Sequence, residues 1–206
     1  MKYIEPLKFN SSEVNIWFTS DTHFNHNNII RFCNRPWDTV EEMDKALIEN
    51  WNSVVQPNDI VFHLGDFAFA TNSKWKQIIQ SLNGKIYLVV GNHDEIRYPG
   101  HQIFDMFEGV AHQFTLIIDG RYVYLNHYPF LCYGGTYRGE NQAVIQLYGH
   151  VHSGPRCEGK DTSRLEMTFP YQYDVGVDNN NYTPVSWSQI KEIIAKQVQN
   201  DDKRIV

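Results

Sequence analysis

The stretch YLVVGNHDE, residues 87–95, places three polar residues directly after an apolar run that stops at a glycine. A short apolar run of this kind is typical of a strand that is buried on both faces of a sheet. In α/β proteins, ligands bind beyond the carboxyl ends of such strands. The sequence therefore predicts that Asn92, His93 and Asp94 lie in a functional loop, to which other strand ends contribute side chains.

Around this stretch, runs typical of strands alternate with amphipathic runs typical of helices. The first half of the chain is predicted to form strands at 15–20, 59–65 and 85–90 and helices at 38–51 and 73–82. Thr39 and Glu42 have the spacing of a capping box at the start of the first helix. This alternation is typical of βαβ units with a parallel sheet.

The second half of the chain has the pattern of antiparallel strands. Asp119 and Gly120 separate two alternating runs and predict a β-hairpin over 113–126. Further strands are predicted at 143–148 and 171–177, and a closing helix with a Ser186–Gln189 capping box at 186–199. Together the two halves predict an α/β (α+β mixed) fold, a four-layer α/β/β/α sandwich of two mixed β-sheets flanked by helices.

The composition is that of a folded protein with a sizeable core. The chain has 206 residues, of which 42% are apolar and 14% aromatic, so we expect one domain over 1–206 with its core over about 15–180. The net charge of -6 argues against binding of extended nucleic acid, which requires a surface rich in lysine and arginine. No apolar run is long enough to cross a membrane and the first residues have no secretory signal, so we expect a cytoplasmic protein.

The three cysteines, Cys33, Cys132 and Cys157, are widely separated in the sequence. No CxxC pair is present, which argues against a zinc knuckle or a redox motif. We therefore expect three reduced thiols, as in an ordinary cytosolic protein.

Metal-ligating side chains follow five of the predicted strands. These residues are Asp21, His23, Asp66, Asn92, His127, His150 and His152, with His93 beside them. They offer oxygen and nitrogen atoms without a thiolate, a set that suits manganese, iron, zinc or nickel. The sequence therefore predicts a metal site built from several loops.

The spacing within these loops has a geometric reason. In an extended chain, residues i and i+2 point to the same side, so the D-x-H and H-x-H pairs can each present two side chains to one place. We expect Gly65, Gly91 and Gly149 to allow sharp turns just before the ligands. Asp66 stands alone on its loop and is the candidate to bridge two metals. Two such ions with a hydroxide would leave the site at about +1, which attracts a phosphate anion.

Taken in order, these segments resemble the calcineurin-like metallophosphoesterase superfamily over about residues 15–180. The matching segments are DTH at 21–23, GD at 65–66, GNHD at 91–94, His127, and GHVH at 149–152. The opening DTHFNHNNII and the later VGVDNNNYTPVS further resemble a branch of small bacterial and phage members. The resemblance implies the fold described above and a site that holds two divalent transition metal ions.

The resemblance also implies the role of each residue. It implies that the first metal is held by Asp21, His23, Asp66 and His152, and the second by Asp66, Asn92, His127 and His150. It implies that His93 donates a proton to the leaving oxygen, as catalytic imidazoles do. Asp94 would orient His93 and sustain its charged form.

The implied activity is hydrolysis of a phosphate mono- or diester, in a small phosphoester or a nucleotide, by in-line attack of a metal-activated hydroxide. Three alternatives stay open: a nucleotide pyrophosphohydrolase or nuclease on the same scaffold, a non-catalytic metal-binding interaction module, and a structural zinc protein. The sequence does not predict the native metals or the oligomeric state.

Several neighbouring residues have more than one interpretation. Those that either contact substrate or have ordinary loop and surface roles are His26, Arg31, Arg35, Tyr133, Tyr137 and Arg138. We expect His63 to pack in its strand or support Asp66, as residues behind metal ligands do. Asp178 is expected to form a turn.

Overall fold

The structure, a computed structural model, describes residues 5–97, 102–136, 142–157 and 168–202. The strands are β1 Leu7–Phe9, β2 Ile16–Thr19, β3 Ile60–His63, β4 Lys85–Val89, β5 Gly109–Ala111, β6 Gln113–Ile118, β7 Arg121–Asn126, β8 Ile145–Tyr148, β9 Gln172–Asp174 and β10 Val185–Ser186. The α-helices are α1 Asn27–Phe32, α2 Val40–Val54, α3 Asn72–Ser81, α4 Asn92–Arg97 and α5 Trp187–Asp202, and a 3₁₀ helix covers Gln102–Met106.

The strands form two five-stranded mixed sheets. The first has the order β10-β2-β3-β4-β5, in which β2 to β5 are parallel and β10 is antiparallel. The second has the order β1-β6-β7-β8-β9, in which only β6 and β7 pair antiparallel. This confirms the predicted sandwich of two mixed sheets with helices packed against them. The expectation of antiparallel strands in the second half was right for the hairpin but wrong for β8 and β9, which pair parallel.

Two buried clusters hold the layers together. One contains apolar side chains of both sheets, with Phe62 stacked between Phe18 and Tyr87 on neighbouring strands, and also the inward stripe of α5. The other contains the apolar faces of α2 and α3, with Trp51 and Trp75 almost fully buried. Burying one large side chain contributes about 1.5–3 kcal/mol, so these clusters supply the main stabilisation of the sheet edge that carries the site.

Most predicted elements are present, with shifted ends. The Thr39–Glu42 capping box forms, and so does that of Ser186 and Gln189. Residues 91–94 were expected as a loop, but α4 begins at Asn92. Four short elements were not predicted from the sequence, because each has only two to six residues and its pattern is too short to be recognised: β1, α1, β5 and β10.

The carboxyl ends of β2, β3 and β4 in one sheet lie beside those of β7 and β8 in the other. Hydrogen bonds connect the loops of the two sheets: His150 N–H donates to Asp21 Oδ2 at 2.9 Å, and His127 Nδ1 donates to Leu64 O at 2.8 Å. The fold therefore brings the predicted ligand loops to one edge of the sandwich. Among the helices that the structure describes, none is long and apolar enough to cross a membrane.

Candidate metal centre

The predicted ligands meet in two adjoining groups. We call Asp21, His23 and His152 the first group, and Asp66, His127 and His150 the second group. Within each group, one ligand atom of every residue lies within 4.8 Å of the others. The seventh predicted ligand, Asn92, places Oδ1 3.0 Å from His127 Nε2.

The Asp66 carboxylate lies between the two groups. Its Oδ2 is 3.5 Å from His23 Nε2 and 3.6 Å from His127 Nε2. Its other oxygen accepts the N–H of His93 at 2.9 Å. One carboxylate oxygen thus faces an imidazole from each group, as expected for a residue shared by two ions. The structure brings the seven residues together, and their metal binding stays a prediction.

The backbone of the ligand loops is left-handed rather than extended. Positive φ angles occur at five of the seven predicted ligands, namely Asp21, His23, Asp66, His150 and His152. The expectation that the D-x-H and H-x-H pairs are extended was therefore wrong. Asp21 and His23 nevertheless meet in the first group, whereas His150 and His152 contribute to different groups. Such a residue other than glycine costs on the order of 1–3 kcal/mol, and this strain is typical of functional sites.

The three glycines act mainly by allowing close approach. The chain turns at Gly91 and Gly149 as expected, since Asp94 N–H donates to Gly91 O and Val151 N–H to Gly149 O, but only Gly65 has a positive φ, of 99°. A Cβ atom on Gly149 would collide with the side chains of Ser20 and Asp21, and one on Gly91 with Asp66. The absence of a side chain at these positions therefore lets the ligand loops pack directly against each other.

Three of the histidine rings are held by their Nδ1 atoms. His127 Nδ1 donates to Leu64 O at 2.8 Å, since a carbonyl only accepts. His152 Nδ1 is 2.7 Å from Asp178 Oδ2, and His23 Nδ1 is 3.3 Å from His26 Nδ1. Each partner turns the ring so that Nε2 faces the site. Metal-binding histidines are usually oriented in this way.

Two buried atoms of the first group have no hydrogen-bond partner. They are Asp21 Oδ1 and His23 Nε2. A buried polar atom without a partner costs about 1–3 kcal/mol, and a cation beside both atoms would remove that cost. A divalent metal therefore fits the donor atoms that this chain presents.

The electrostatics of the site also favour a cation. Burial and the neighbouring charge of Asp21 raise the pKa of Asp66 to about 7. Burial lowers the pKa of His152, but the hydrogen bond to Asp178 and the charge of Asp21 outweigh it and raise that pKa to about 9. The negative charge of Asp21 contributes to both shifts. The same charge would attract a metal ion.

His93 lies beside the first group, with its ring centroid 5.3 Å from that of His23. The carboxylate of Asp94 accepts the N–H groups of Gly91 and Asp66 at 2.9 Å, and that of Phe67 at 3.0 Å. Asp94 therefore fixes the backbone that carries Asp66. Its predicted effect on His93 stays a prediction.

A buried ion pair behind His152 was not recognised in the sequence. Arg35 binds Asp178 through two parallel bonds of 2.9 Å, and the two residues are only 4% and 6% exposed. Arg35 also donates to the carbonyl oxygens of Asp21 at 2.7 Å and Thr22 at 2.9 Å. Asp178 was expected only to form a turn. The residues are 143 positions apart, so spacing gave no sign of the pair.

His63 supports the loop of Asp66, which is one of the two roles expected for it. It accepts the N–H of Gly65 at Nδ1, so Nε2 carries the proton and donates to Thr22 Oγ1 at 2.9 Å. Thr22 in turn donates to Phe67 O at 2.8 Å. Burial lowers the pKa of His63 to about 3 and keeps the ring neutral. His63 thus connects the loop of Asp21 to the loop of Asp66.

Other residues with open interpretations lie in different surroundings. The His26 ring stacks on Phe69 with centroids 4.4 Å apart. Arg31 lies over the exposed Phe32 ring, and Tyr133 packs against Phe130 and other rings. The two remaining positions, Tyr137 and Arg138, lie outside the described residues.

Comparison with known proteins agrees with the fold. The calcineurin-like phosphoesterase superfamily domain matches residues 14–165. This range contains all seven predicted ligands and Arg35, and it ends before Asp178. The chain belongs to the calcineurin-like phosphoesterase superfamily.

Individual relatives come from archaea, phages and bacteria. The uncharacterized protein MJ1445 of Methanocaldococcus jannaschii is 42% identical over 190 residues, which cover 88% of this chain and 92% of that protein. The Gene 66 protein of Mycobacterium phage L5 is 30% identical over 167 residues, covering 68% and 78%. The crystal structure of AQ665 from Aquifex aeolicus, a protein of unknown function, has a TM-score of 0.66 at 27% identity, covering 87% of this chain and 99% of that one.

Proposed function

We propose that the protein is a binuclear metal-dependent phosphoesterase that hydrolyses phosphate mono- or diesters in small molecules or nucleotides. The observation that carries the proposal is the Asp66 carboxylate between His23 Nε2 and His127 Nε2, with a group of ligands on either side. Membership of a phosphoesterase superfamily supports the same reaction class.

The donor atoms define which cofactor the chain would hold. Asp21, His23, Asp66 and His152 would hold one ion, and Asp66, Asn92, His127 and His150 the other. Oxygen and nitrogen donors without a thiolate suit manganese, iron, zinc or nickel. When bound, such ions supply a hydroxide nucleophile at neutral pH and neutralise charge on the phosphoryl oxygens.

His93 is the proposed proton donor to the leaving oxygen. Its main-chain N–H is fixed by Asp66 Oδ1, and its ring lies next to His23 at the border of the first group. A protonated imidazole in this position would stabilise the alkoxide as the phosphorus–oxygen bond breaks.

The test is reconstitution followed by a substrate screen. Metal-stripped protein is loaded separately with manganese, iron, zinc or nickel. Each sample is assayed on nitrophenyl phosphate, bis-nitrophenyl phosphate, cyclic nucleotides, dinucleotides and single-stranded DNA. We expect two ions per chain and metal-dependent turnover of at least one ester.

Two results would contradict the proposal. Tight binding of one zinc without hydrolysis would favour a structural zinc protein. Metal binding without turnover in any sample would favour an interaction module. Asp59→Asn is a suitable control, because Asp59 is a buried carboxylate that binds Asn15 and Trp17, outside the ligand loops.

A further inference from the structure

The ion pair behind His152 connects two separate parts of the first group. Asp178 Oδ2 accepts from His152 Nδ1 at 2.7 Å and also from Arg35 Nη2 at 2.9 Å. The same Arg35 nitrogen donates to the carbonyl oxygen of Asp21 at 2.7 Å. Arg35 thus reaches one ligand through its main chain and another through Asp178.

We propose that Arg35 and Asp178 are positioning residues that set the metal affinity of the first group. Asp178 accepts a hydrogen bond from His152 Nδ1 and so keeps the proton on that nitrogen. The lone pair on Nε2, which faces Asp21, is then available to a metal ion. Arg35 fixes Asp178 with two parallel bonds, a geometry that its planar guanidinium provides and a lysine does not. The inference rests on the proposed metal binding.

Two ligands of the second group are held by other residues. The ring of His127 is held by the carbonyl oxygen of Leu64, and the loop of Asp66 by the carboxylate of Asp94. A positioning role of Arg35 and Asp178 therefore predicts loss at one metal site only. A general effect on folding would weaken both sites.

The experiment is a cobalt titration of the full chain with Asp178→Asn. Asparagine keeps the size of the side chain but removes the charge that faces His152 and Arg35. Affinities are measured by competition with a chelator, and the visible cobalt spectrum reports the coordination of each ion. We expect one of two sites to weaken about 10–100-fold, while the other keeps its affinity.

Asp59→Asn is the matched control, since it also removes a buried carboxylate with several hydrogen bonds. It should lower the melting temperature of the metal-free protein and leave both cobalt affinities unchanged. Unchanged affinities in Asp178→Asn, or equal losses at both sites, would overturn the inference. Failure of the wild-type chain to bind two ions would instead overturn the proposed function.

If Asp178→Asn does not fold, Arg35→Lys provides the same test. Lysine keeps a positive charge opposite Asp178 but cannot form the two parallel bonds. We expect a selective loss at one site, smaller than that of Asp178→Asn. Two unchanged sites in a folded Arg35→Lys protein would contradict the role of Arg35.

An independent observation concerns two thiols that the fold brings together. Cys33 and Cys157 are 124 residues apart, yet their sulfur atoms lie within 4.8 Å. Cys157 Sγ donates to the main-chain oxygen of Cys33 at 3.2 Å. Cys33 is buried, whereas Cys157 is partly exposed and open to a small oxidant. The absence of a CxxC motif therefore did not exclude a thiol pair.

We infer that Cys33 and Cys157 are a modification site that hydrogen peroxide converts to a disulfide. Peroxide oxidises the Cys157 thiol to a sulfenic acid and is itself reduced to water. The Cys33 sulfur then attacks the Cys157 sulfur, the S–S bond forms, and the oxygen leaves as a second water. The cross-link ties the segment after α1 to the segment after His152.

Mass spectrometry of the Cys132→Ser protein tests this inference, because that variant lacks the exposed third thiol. After peroxide treatment we expect the loss of two hydrogen atoms and a cross-linked peptide containing Cys33 and Cys157. In the same background, Cys33→Ser and Cys157→Ser should each give no such peptide. Addition of oxygen to either cysteine, without the cross-link, would overturn the inference.

Discussion

The two groups of predicted ligands are held in different ways. In the first group, the ring of His23 is hydrogen-bonded to the side chain of His26, and the ring of His152 to the side chain of Asp178. In the second group, the ring of His127 donates to the main-chain oxygen of Leu64, just after β3. The rings of the first group therefore depend on particular side chains, whereas the ring of His127 depends on the main chain.

The two kinds of support also come from different parts of the chain. The main-chain support of the second group follows from strand order, and it comes from residues inside the matched range 14–165. Asp178 lies beyond that range. A buried ion pair is costly to break, because the residue that remains keeps an unpaired charge. We therefore expect substitutions behind the first group to be more selective in their effects than those behind the second.

The largest expected effect comes from Asp66→Asn, which alters the residue between the groups. Removal of the shared charge should weaken both metal sites and lower phosphoester turnover by at least about 10³-fold. Turnover and metal content of the purified protein are the measurements.

Asp21→Asn is the comparison for Asp66→Asn, since Asp21 belongs to the first group alone. It should weaken one site and spare the other. Loss of both ions in Asp21→Asn, or of one ion in Asp66→Asn, would contradict the division into two groups that share Asp66.

Much of this site could be predicted because its ligands are local in the sequence. Each of the seven residues directly follows an apolar run, and parallel strands must end at the same edge of a sheet. The convergence of Asp21, Asp66 and Asn92 then follows from the parallel order of β2, β3 and β4. His127 and His150 follow strands of the other sheet, and only the family resemblance implied that they join the same site. The extended backbone expected at Asp21 and His150 was nevertheless wrong, because a pattern of residue types does not show the sign of φ.

The supporting residues could not be predicted for a physical reason. Arg35 pairs with Asp178, and Cys33 lies near Cys157, only after the two sheets have packed. Such contacts depend on distances between loops, on which periodicity carries no information. An arginine between short polar segments and an aspartate in an asparagine-rich turn each have an ordinary surface interpretation.

The next largest effect concerns His93, which lies nearer the first group. His93→Ala should lower turnover of esters with poor leaving groups by about 10²–10⁴-fold, because such groups need a proton. Nitrophenyl esters should be much less affected, and both ions should stay bound. Equal losses on both kinds of ester would contradict the role of proton donor.

A smaller effect is expected from two glycine substitutions, of which Gly65→Ala also strains a backbone with a positive φ. In Gly149→Ala the new methyl group meets Ser20 and Asp21, whereas in Gly65→Ala it meets Gly91 and His127. Overpacking of this kind typically costs about 1–3 kcal/mol of stability.

The two glycine variants should nevertheless differ in the metal site that they weaken. We expect Gly65→Ala to weaken chiefly the site of His127, and Gly149→Ala to weaken both sites, because its methyl group meets the Asp21 oxygen that accepts the N–H of His150; each loss should be about 10–100-fold in affinity. Cobalt titrations measure this, with melting of the metal-free proteins as the control. An effect of Gly149→Ala on one site alone would contradict the contact between Asp21 and His150.

The smallest effect is a pH dependence of the metal-free protein. The folded-state pKa of Asp66 is raised from 3.8 to about 7 by burial and by Asp21, so between these values the folded state binds more protons than the unfolded state. Its contribution to stability is therefore complete below about pH 4 and is lost as the pH rises toward 7, by at most about 1.4 kcal/mol per pH unit. The asparagine side chain of Asp66→Asn cannot ionise, so the melting temperature of this variant relative to that of the wild type should rise from about pH 4 to 7.

The comparison of variant with wild type cancels the opposite contribution of His63, whose lowered pKa stabilises the folded state as the pH rises. Saturating metal should reverse the trend, because a cation shared by the two groups favours the ionised carboxylate. A constant difference in melting temperature from pH 4 to 7 would contradict the raised pKa of Asp66, and with it the effect of burial and of Asp21 on this carboxylate.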